Sequence, residues 1–343
     1  MDVSLILIIG IVLVVIYDFT NGFHDAADMV ATAIASRTMT PGVAIFIVSL
    51  FTFLGPLLGG LAVANTIGEF VNINHVESHL AQNVILSAIL AAITYNIITW
   101  KFGLPSSSSN SLTSGLVGAA IFALGSDYVN WGFSALNNGS IVGFMKIVTG
   151  IVFSPLAGFF VGFLVMKLSL KVLKRFSSKS KKLFLFTQYF TVSWLAFSHG
   201  TNDSQKGMGI IGMLLLANNI YPEFTVPIWV IFLCATSITL GTMFGGWSII
   251  KTVGFGIYKV KLIHSIADQV SAAAVILGSS LIGAPTSTTQ VVTTSLMGVG
   301  AGERPKHVRW DVAKTILKGW LFNIPASFIM GMIYCYLLIR IFK

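Results

Sequence analysis

The stretches GLPSSSSNSLTSGLVG at residues 103–118 and GAPTSTTQVVTTSLMG at residues 283–298 share one pattern, and this pattern decides the fold. Each has a glycine and a proline, then four consecutive hydroxyl side chains, one amide side chain and an apolar segment. Proline lacks an amide hydrogen and clashes with the preceding turn, so Pro105 and Pro285 should end any helix that arrives from upstream. The polar residues that follow are suited to cap a new helix. The two stretches therefore predict two half-helices.

The start of each half-helix is a candidate anion site. A helix start presents free backbone amides and the positive end of the helix dipole. Two such starts, aimed at one point, would bind an oxyanion. The alternative is that the hydroxyl groups only pack helices together, but their recurrence after a helix break favours a binding site. The expected anion-binding residues are Ser106, Ser107, Ser108, Ser109 and Asn110 in the first stretch and Thr286, Ser287, Thr288, Thr289 and Gln290 in the second.

Composition places both stretches in a membrane protein. The chain has 343 residues, of which 55% are hydrophobic and 10% charged, and its mean hydropathy is strongly positive. Runs of roughly 20 apolar residues recur, each long enough to cross about 30 Å of hydrocarbon. The net charge of +9 lies in short stretches between these runs, as in cytoplasmic loops rather than on a nucleic-acid-binding surface. We therefore predict an all-α polytopic membrane protein with no nucleic-acid partner.

The chain also contains an internal repeat. NGFHD at 21–25 matches HGTND at 199–203, and GLP at 103–105 matches GAP at 283–285 at nearly the same separation. The apolar runs follow in the same order in both halves. A single ancestral unit that was duplicated would account for this order.

Loop charges predict how the repeats are oriented. The segment 167–182 is rich in lysine and arginine, which indicates a basic cytoplasmic linker. Loops with acidic residues and no lysine or arginine, expected outside, lie at 65–79, 126–141 and 218–226. This requires about five crossings in each repeat, 1–166 and 183–343, with both termini outside. With an odd number of crossings in each repeat, the second copy starts on the opposite side of the membrane and is therefore inverted. We predict inverted-topology repeats whose broken or re-entrant helices meet near the midplane, as in secondary transporters.

Ionisable residues inside the predicted spans are functional candidates, because a charge at bilayer depth costs on the order of 3 kcal/mol. Steps of about 100° per residue group them on one face of each helix. The first-repeat residues on such a face are Asp18, Asn21, Asp25, Asp28 and Thr32, with His24 at its edge. The second-repeat residues on a similar face are His199, Asn202, Asp203 and Lys206. These polar faces should line a cavity.

The polar faces would complete an oxyanion site. Amides from Asn21 and Asn202 and the ammonium of Lys206 would add donors to the hydroxyl groups. Hydroxyl donors at half-helix ends suit a tetrahedral anion, and a doubly ionised phosphate or sulfate fits best. The alternative for Lys206 is a structural ion pair with Asp203.

Carboxylates next to the anion site predict a coupled cation, because they repel an anion unless each is protonated or holds a cation. The carboxylates with this expected role, as proton carriers or metal-cation ligands, are Asp25, Asp28 and Asp203. His24 and His199 are either structural imidazoles or parts of the same proton or cation site. Asp268, in a later span, has no obvious local partner and would alternatively lie near the headgroups with Lys261 and His264.

At these residues the sequence resembles the inorganic phosphate transporter (PiT) family over essentially its whole length. The motifs that carry the resemblance, besides the two hydroxyl stretches, are GFHDAADMVAT at 22–32, GTNDSQKGMGI at 200–210 and RWDVAKTILKGWLFNIPAS at 309–327. The GFHD form is similar to the bacterial low-affinity branch. Asp28 stands where the family usually has asparagine, and Asn110 and Gln290 stand where it often has histidine.

The resemblance implies a transporter in the cell membrane, not an enzyme. It implies import of phosphate by cation symport through alternating access, coupled to a proton, to a metal–phosphate complex with a proton, or to sodium. A permease for sulfate or another oxyanion and an anion channel are the alternatives. Phosphate near neutral pH can donate a proton to a carboxylate whereas sulfate only accepts hydrogen bonds, which favours phosphate. The expected partners are phosphate, the coupling cation, lipid and a second copy of the chain, with no cofactor.

Overall fold

The computed structural model describes residues 3–74, 76–104, 106–173, 181–245 and 256–342, and its regular elements there are helices. Those of the first half are α1 (Val3–Ala35), α2 (Pro41–Leu58), α3 (Ala62–Glu69), α4 (Ser78–Lys101), α5 (Ser108–Ala123), α6 (Phe133–Leu136) and α7 (Gly143–Leu173). Those of the second half are α8 (Lys181–Ala217), α9 (Ile228–Phe244), α10 (Leu262–Leu281), α11 (Thr288–Glu303) and α12 (Trp310–Ile341).

Helix lengths confirm the all-α membrane class. Among the described residues, six helices are long and apolar enough to cross a membrane, namely α1, α2, α4, α7, α10 and α12. The apolar helix α9 has 17 residues, and α8 has 37 residues with polar side chains in its middle. Helices α5 and α11 have 16 residues each, or about 24 Å at 1.5 Å per residue, which is too short to cross alone. The count of five crossings per repeat stays a prediction.

The two predicted half-helices are present. Helix α4 ends at Lys101 and α5 begins at Ser108, while α10 ends at Leu281 and α11 begins at Thr288. Each new helix is capped by a serine side chain, and each break contains a glycine with positive φ, 64° at Gly103 and 72° at Gly283. That conformation suits glycine, which has no Cβ. The helix breaks are therefore confirmed, although Pro105 itself lies outside the described residues.

Each half-helix packs against a helix of the other half of the chain as well as against its own half. Helix α5 packs against α4 and against α12, and α11 packs against α10 and against α7. Glycines permit the close approach, because a Cβ at Gly118 would overlap the carbonyl oxygen of Phe328, and one at Gly298 would overlap that of Phe159. Helices α1 and α9, and α2 and α8, pair in the same reciprocal way. This reciprocity is expected of two copies of one unit.

Two apolar clusters flank the polar faces of α1 and α8. Val14 of α1 and Met208 of α8 belong to the first cluster, whereas Val30 of α1 and Val192 of α8 belong to the second. The two helices thus pass through the clusters in opposite order, which is the relation that inverted repeats require. The polar residues of both helices lie between the clusters.

The predicted linker is only partly described. Helix α7 continues to Leu173 and α8 begins at Lys181, so both ends of the 167–182 segment are helical. Residues 174–180 lie outside the described part of the chain. The proposed division into 1–166, 167–182 and 183–343 therefore stays a prediction.

Candidate functional site

The polar faces predicted on α1 and α8 lie together in the interior. Their ionisable and amide side chains are at most 2% exposed; these are Asp18, Asn21, His24, Asp25 and Asp28 on α1 and His199, Asn202, Asp203 and Lys206 on α8. A direct contact joins the two helices, because Asn21 Nδ2 donates to Asp203 Oδ2 at 3.2 Å. The repeated NGFHD and HGTND motifs therefore face each other.

The start of α11 contacts both polar faces. Thr289 Oγ1 lies within hydrogen-bonding distance of Asp28 Oδ2 at 2.7 Å and of Asp25 Oδ1 at 3.1 Å. Thr288 Oγ1 donates to Asp203 Oδ1 at 3.3 Å. Adjacent hydroxyl groups of one half-helix thus reach carboxylates on two different helices.

The two half-helix starts also meet each other. Ser109 Oγ donates to the carbonyl oxygen of Thr286 at 2.7 Å. Asn202 Nδ2 donates to the same carbonyl at 2.9 Å, and the Thr286 amide donates to Asn202 Oδ1 at 3.3 Å. All ten residues of the two hydroxyl and amide runs are at most 5% exposed. The structure therefore brings together the two stretches that the sequence predicted to converge.

Two of the predicted serines act as caps. Ser107 Oγ accepts from the Asn110 amide at 3.1 Å, and Ser287 Oγ accepts from the Gln290 amide at 3.4 Å. A capping side chain satisfies one of the free amides at a helix start. The remaining hydroxyl groups of each run are left for contacts between helices or with a ligand.

Asp203 is the most heavily bonded carboxylate of the site. Lys206 Nζ donates to its Oδ1 at 2.7 Å, Asn202 Nδ2 donates to the same oxygen, and His199 Nδ1 lies 3.6 Å from its Oδ2. The ion pair between Lys206 and Asp203 is the contact expected if Lys206 has a structural role. An ammonium has three donors, so this contact leaves Lys206 able to bind a further acceptor.

Several buried polar atoms of the site have no hydrogen-bond partner among the described residues. They are Asn21 Oδ1, His24 Nε2, Asp28 Oδ1, Asn110 Oδ1, His199 Nε2 and Thr286 Oγ1. Leaving such a group unsatisfied costs about 1–3 kcal/mol. All six belong to residues predicted to bind the anion or the cation, and each atom could form a hydrogen bond with a ligand.

One group of side chains has the geometry of a cation site. Asp25, His199 and Asp203 each offer one ligand atom, and these atoms lie within 4.8 Å of one another. Asp28, the third predicted carboxylate, is not in this group and instead contacts Thr289. His24 Nδ1 lies 3.2 Å from Asp25 Oδ1 and so contacts the group from outside. Carboxylate oxygens suit a proton or a hard cation, and an imidazole also suits a transition metal.

Asn323 was absent from the residues predicted by sequence. It lies on α12 and is fully buried against the start of α5, where its Nδ2 donates to the Ser107 carbonyl at 2.8 Å and to Ser106 Oγ at 3.2 Å. Ser111 Oγ donates back to Asn323 Oδ1 at 3.0 Å. Its signal was a lone amide in the apolar part of the RWDVAKTILKGWLFNIPAS motif. Asn323 holds the first half-helix start in place.

Two further buried carboxylates lie outside these contacts. Asp18 on α1 faces Gly207 of α8, and Asp268 lies on α10. Both carboxylates are buried; the Cys234 thiol is close to Asp18, and the hydroxyl groups of Thr32 and Ser295 are close to Asp268.

Comparison with known proteins identifies the family. The sequence profile of the phosphate transporter family matches residues 21–178 and 170–331, which together span most of the chain. The chain belongs to the phosphate transporter family. Members of this family are transport proteins, so the chain is a transport protein and not an enzyme.

Similar proteins agree with this assignment. The chain is 39% identical to a probable low-affinity inorganic phosphate transporter of Bacillus subtilis (strain 168), and the alignment covers both chains completely. It is 36% identical to a protein of the same description from Rhizobium meliloti (strain 1021), over 96% of each chain. A solved structure, described as the sodium-dependent phosphate transporter, matches with a TM-score of 0.84 and 25% identity, over 98% of this chain and 99% of that one.

Proposed function

We propose that the protein is a secondary transporter that imports inorganic phosphate together with a coupling cation by alternating access. Its site would lie between the two halves, in the cell membrane, with both termini outside and the 167–182 segment in the cytoplasm. The observation that carries the proposal is the contact of the α11 hydroxyl groups with carboxylates of both α1 and α8. Hydroxyl groups proposed to bind the anion are hydrogen-bonded there to carboxylates proposed to bind the cation.

The shared hydrogen bonds supply a physical reason for coupling. In the structure, Thr288 and Thr289 contact carboxylates. A bound phosphate would take these donors, together with amides from Asn21 and Asn202 and the ammonium of Lys206. The carboxylates would then lose partners in a buried site, where an unpaired charge is costly. A proton or a metal cation would restore the balance, so that anion and cation bind together.

The coupling cation would be held by the carboxylates of the site. Asp25, His199 and Asp203 form the group that fits a cation, while Asp28 has one free oxygen that can accept a proton. The GFHD motif favours a proton or a metal–phosphate complex with a proton. The solved relative is described as sodium-dependent, which makes sodium the main alternative.

Alternating access would use the two halves as the moving bodies. The half-helix starts meet between α1 and α8, and each half-helix packs on the last helix of the other half. Movement of one half against the other would expose the site first on one side and then on the other. A homodimer stays a prediction from the resemblance.

The test is uptake of labelled phosphate into proteoliposomes that contain the purified protein. We expect saturable uptake that is driven by an imposed proton gradient, and a lack of competition from excess sulfate. Uptake driven only by a sodium gradient would assign sodium as the coupling ion. Non-saturable flux without any dependence on a cation gradient would contradict the proposal and favour a channel.

A further inference from the structure

A second candidate anion site lies away from the central one, at the end of α1. A cavity of about 700 Å³ opens between residues 35–37, the segment 258–262 before α10 and residues 307–309 before α12. This volume falls in the range of about 300–1,000 Å³ that is usual for small-molecule sites. Its lining joins the first half of the molecule to the second.

The lining of this cavity is strongly basic. Among the described residues that line it, none is an aspartate or a glutamate, and His307 is accompanied by four cationic side chains, which are those of Arg37, Lys259, Lys261 and Arg309. No ion pair links any of the four to a carboxylate within the part of the chain that the structure describes. The cavity therefore concentrates positive charge, with no carboxylate among the described residues of its lining.

The acidic side chain of Glu303 lies close to this cavity and bonds two neighbouring side chains. Glu303 Oε2 accepts from Tyr258 Oη at 2.5 Å and lies 3.0 Å from His264 Nε2. Tyr258 and His264 thus hold this carboxylate, which does not line the cavity. Glu303 keeps its negative charge and interacts with Lys261, so it offsets part of the positive charge from outside the lining.

The walls of the cavity are fixed by packing. Ile257, Val260 and Val308 are buried in one apolar cluster, against which Ala35 of α1 packs. The Arg309 amide donates to the Ile257 carbonyl at 3.0 Å, which joins the two segments of the second half. Helix α10 also begins at this wall, at Leu262, and its first free amides add positive potential.

The positive-inside rule does not explain this arrangement. It accounts for basic residues in loops at one face of a membrane protein. It does not require that four cations share one concave wall, and Arg304 and Lys306 of the same loop lie outside the cavity. The four residues are exposed, and guanidinium and ammonium groups are the usual ligands of phosphate groups.

We propose that this cavity binds a phosphoanion, supplied either as free inorganic phosphate or as the phosphate headgroup of an anionic lipid. Basic pockets between membrane helices bind such headgroups. The occupant would join the end of α1 to the second half. Because α1 carries part of the central site, occupancy would slow the movement of the halves. This regulatory consequence rests on the proposed function, whereas the binding itself does not.

The test counts phosphate bound to the full-length protein in phosphatidylcholine nanodiscs, by equilibrium dialysis with labelled inorganic phosphate. We expect two phosphates per wild-type chain and one for Arg37→Gln/Arg309→Gln. The matched control Arg304→Gln/Lys306→Gln removes the same charge from the same face and should still bind two. Arg37→Lys/Arg309→Lys keeps the charge and should recover the second phosphate, which excludes a folding defect in the glutamine variant.

The outcomes separate this proposal from the proposed function. If the wild type binds one phosphate and Arg37→Gln/Arg309→Gln binds none, the cavity site stands and the central phosphate site fails. If the glutamine variant binds as many phosphates as the wild type, the cavity site is wrong. In discs with phosphatidylglycerol, a lipid occupant would displace the cavity phosphate from the wild type, whereas a site for free phosphate would keep it.

Discussion

Asp203 is a single carboxylate that accepts hydrogen bonds from several of the donors proposed to bind the anion. Its oxygens accept from Asn21, Thr288 and Lys206, which lie on α1, on α11 and on its own helix. Helical periodicity predicted the polar face to which it belongs. Periodicity could not predict the contact with Asn21, because the two residues are far apart in sequence and only the packing of two helices joins them. Asn323 was missed for the same reason.

The first prediction concerns Asp203→Asn. The variant keeps the size of the side chain but removes the negative charge that would accept a proton or balance a metal cation, so coupled phosphate uptake should be lost. It also leaves the Lys206 ammonium buried without its partner, which lowers stability. Asp203→Asn/Lys206→Met should therefore recover protein yield but not uptake, measured in proteoliposomes. Normal uptake by Asp203→Asn would show that the cation assignment is wrong.

The second prediction concerns Thr289→Val, which removes the hydroxyl group that contacts Asp25 and Asp28. A hydrogen bond to a charged group contributes about 1.5–3 kcal/mol. We expect roughly a tenfold or greater rise in the KM for phosphate, since tenfold corresponds to about 1.4 kcal/mol. Thr289→Ser keeps the hydroxyl group and should keep most of the affinity.

Thr294→Val is the matched control for Thr289→Val. The Thr294 hydroxyl lies on the same helix but bonds only backbone carbonyls of that helix, including Gln290 O at 2.8 Å. Its KM for phosphate should match the wild type. Equal effects of Thr289→Val and Thr294→Val would mean that the threonines only stabilise α11.

The half-helices α5 and α11 are the elements that position the groups proposed to bind the anion. Their breaks could be predicted because glycine, proline and a run of capping side chains leave a strong local signal. Their packing partners could not, since nothing in the stretch around α5 indicates that α12 will cover it. The cap, a local feature, can be tested separately from the packing.

The third prediction concerns Ser107→Ala and Ser287→Ala, each of which removes a helix cap. The loss of a cap costs about 1 kcal/mol and loosens the first turn, where the groups proposed to bind the anion lie. Each variant should raise the KM for phosphate several-fold in proteoliposome uptake. Ser107→Thr and Ser287→Thr keep a capping hydroxyl and should stay close to the wild type. If alanine and threonine variants behave alike, the caps do not position the site.

The whole molecule is held together by the exchange of half-helices between its halves. The internal repeat predicted two similar units and a site between them. It did not predict that α5 would pack on α12 and α11 on α7, because this exchange depends on shape at glycine positions rather than on hydropathy. The opposite order in which α1 and α8 pass through the two apolar clusters, by contrast, is what the predicted inversion of the repeats requires.

The fourth prediction tests this exchange with Gly118→Ala and Gly298→Ala. A methyl group at either position would overlap a backbone oxygen of the other half, so the helices must separate. We expect lower thermal stability and lower uptake, because overpacking costs typically 1–3 kcal/mol. Gly278→Ala on α10 is the control, since its Cβ would meet no atom within 4 Å. Wild-type stability of Gly118→Ala would show that the contact with α12 is loose.

The exchange of half-helices also sets an order for biosynthesis. Helix α12 belongs to the second half, yet it covers α5, which the ribosome completes before the second half is made. Until α12 inserts, the serines at the start of α5 lack Asn323, which holds them in the finished protein. The first half is therefore synthesised before the helix that covers the start of α5, and the proposed site is complete only once α12 has inserted.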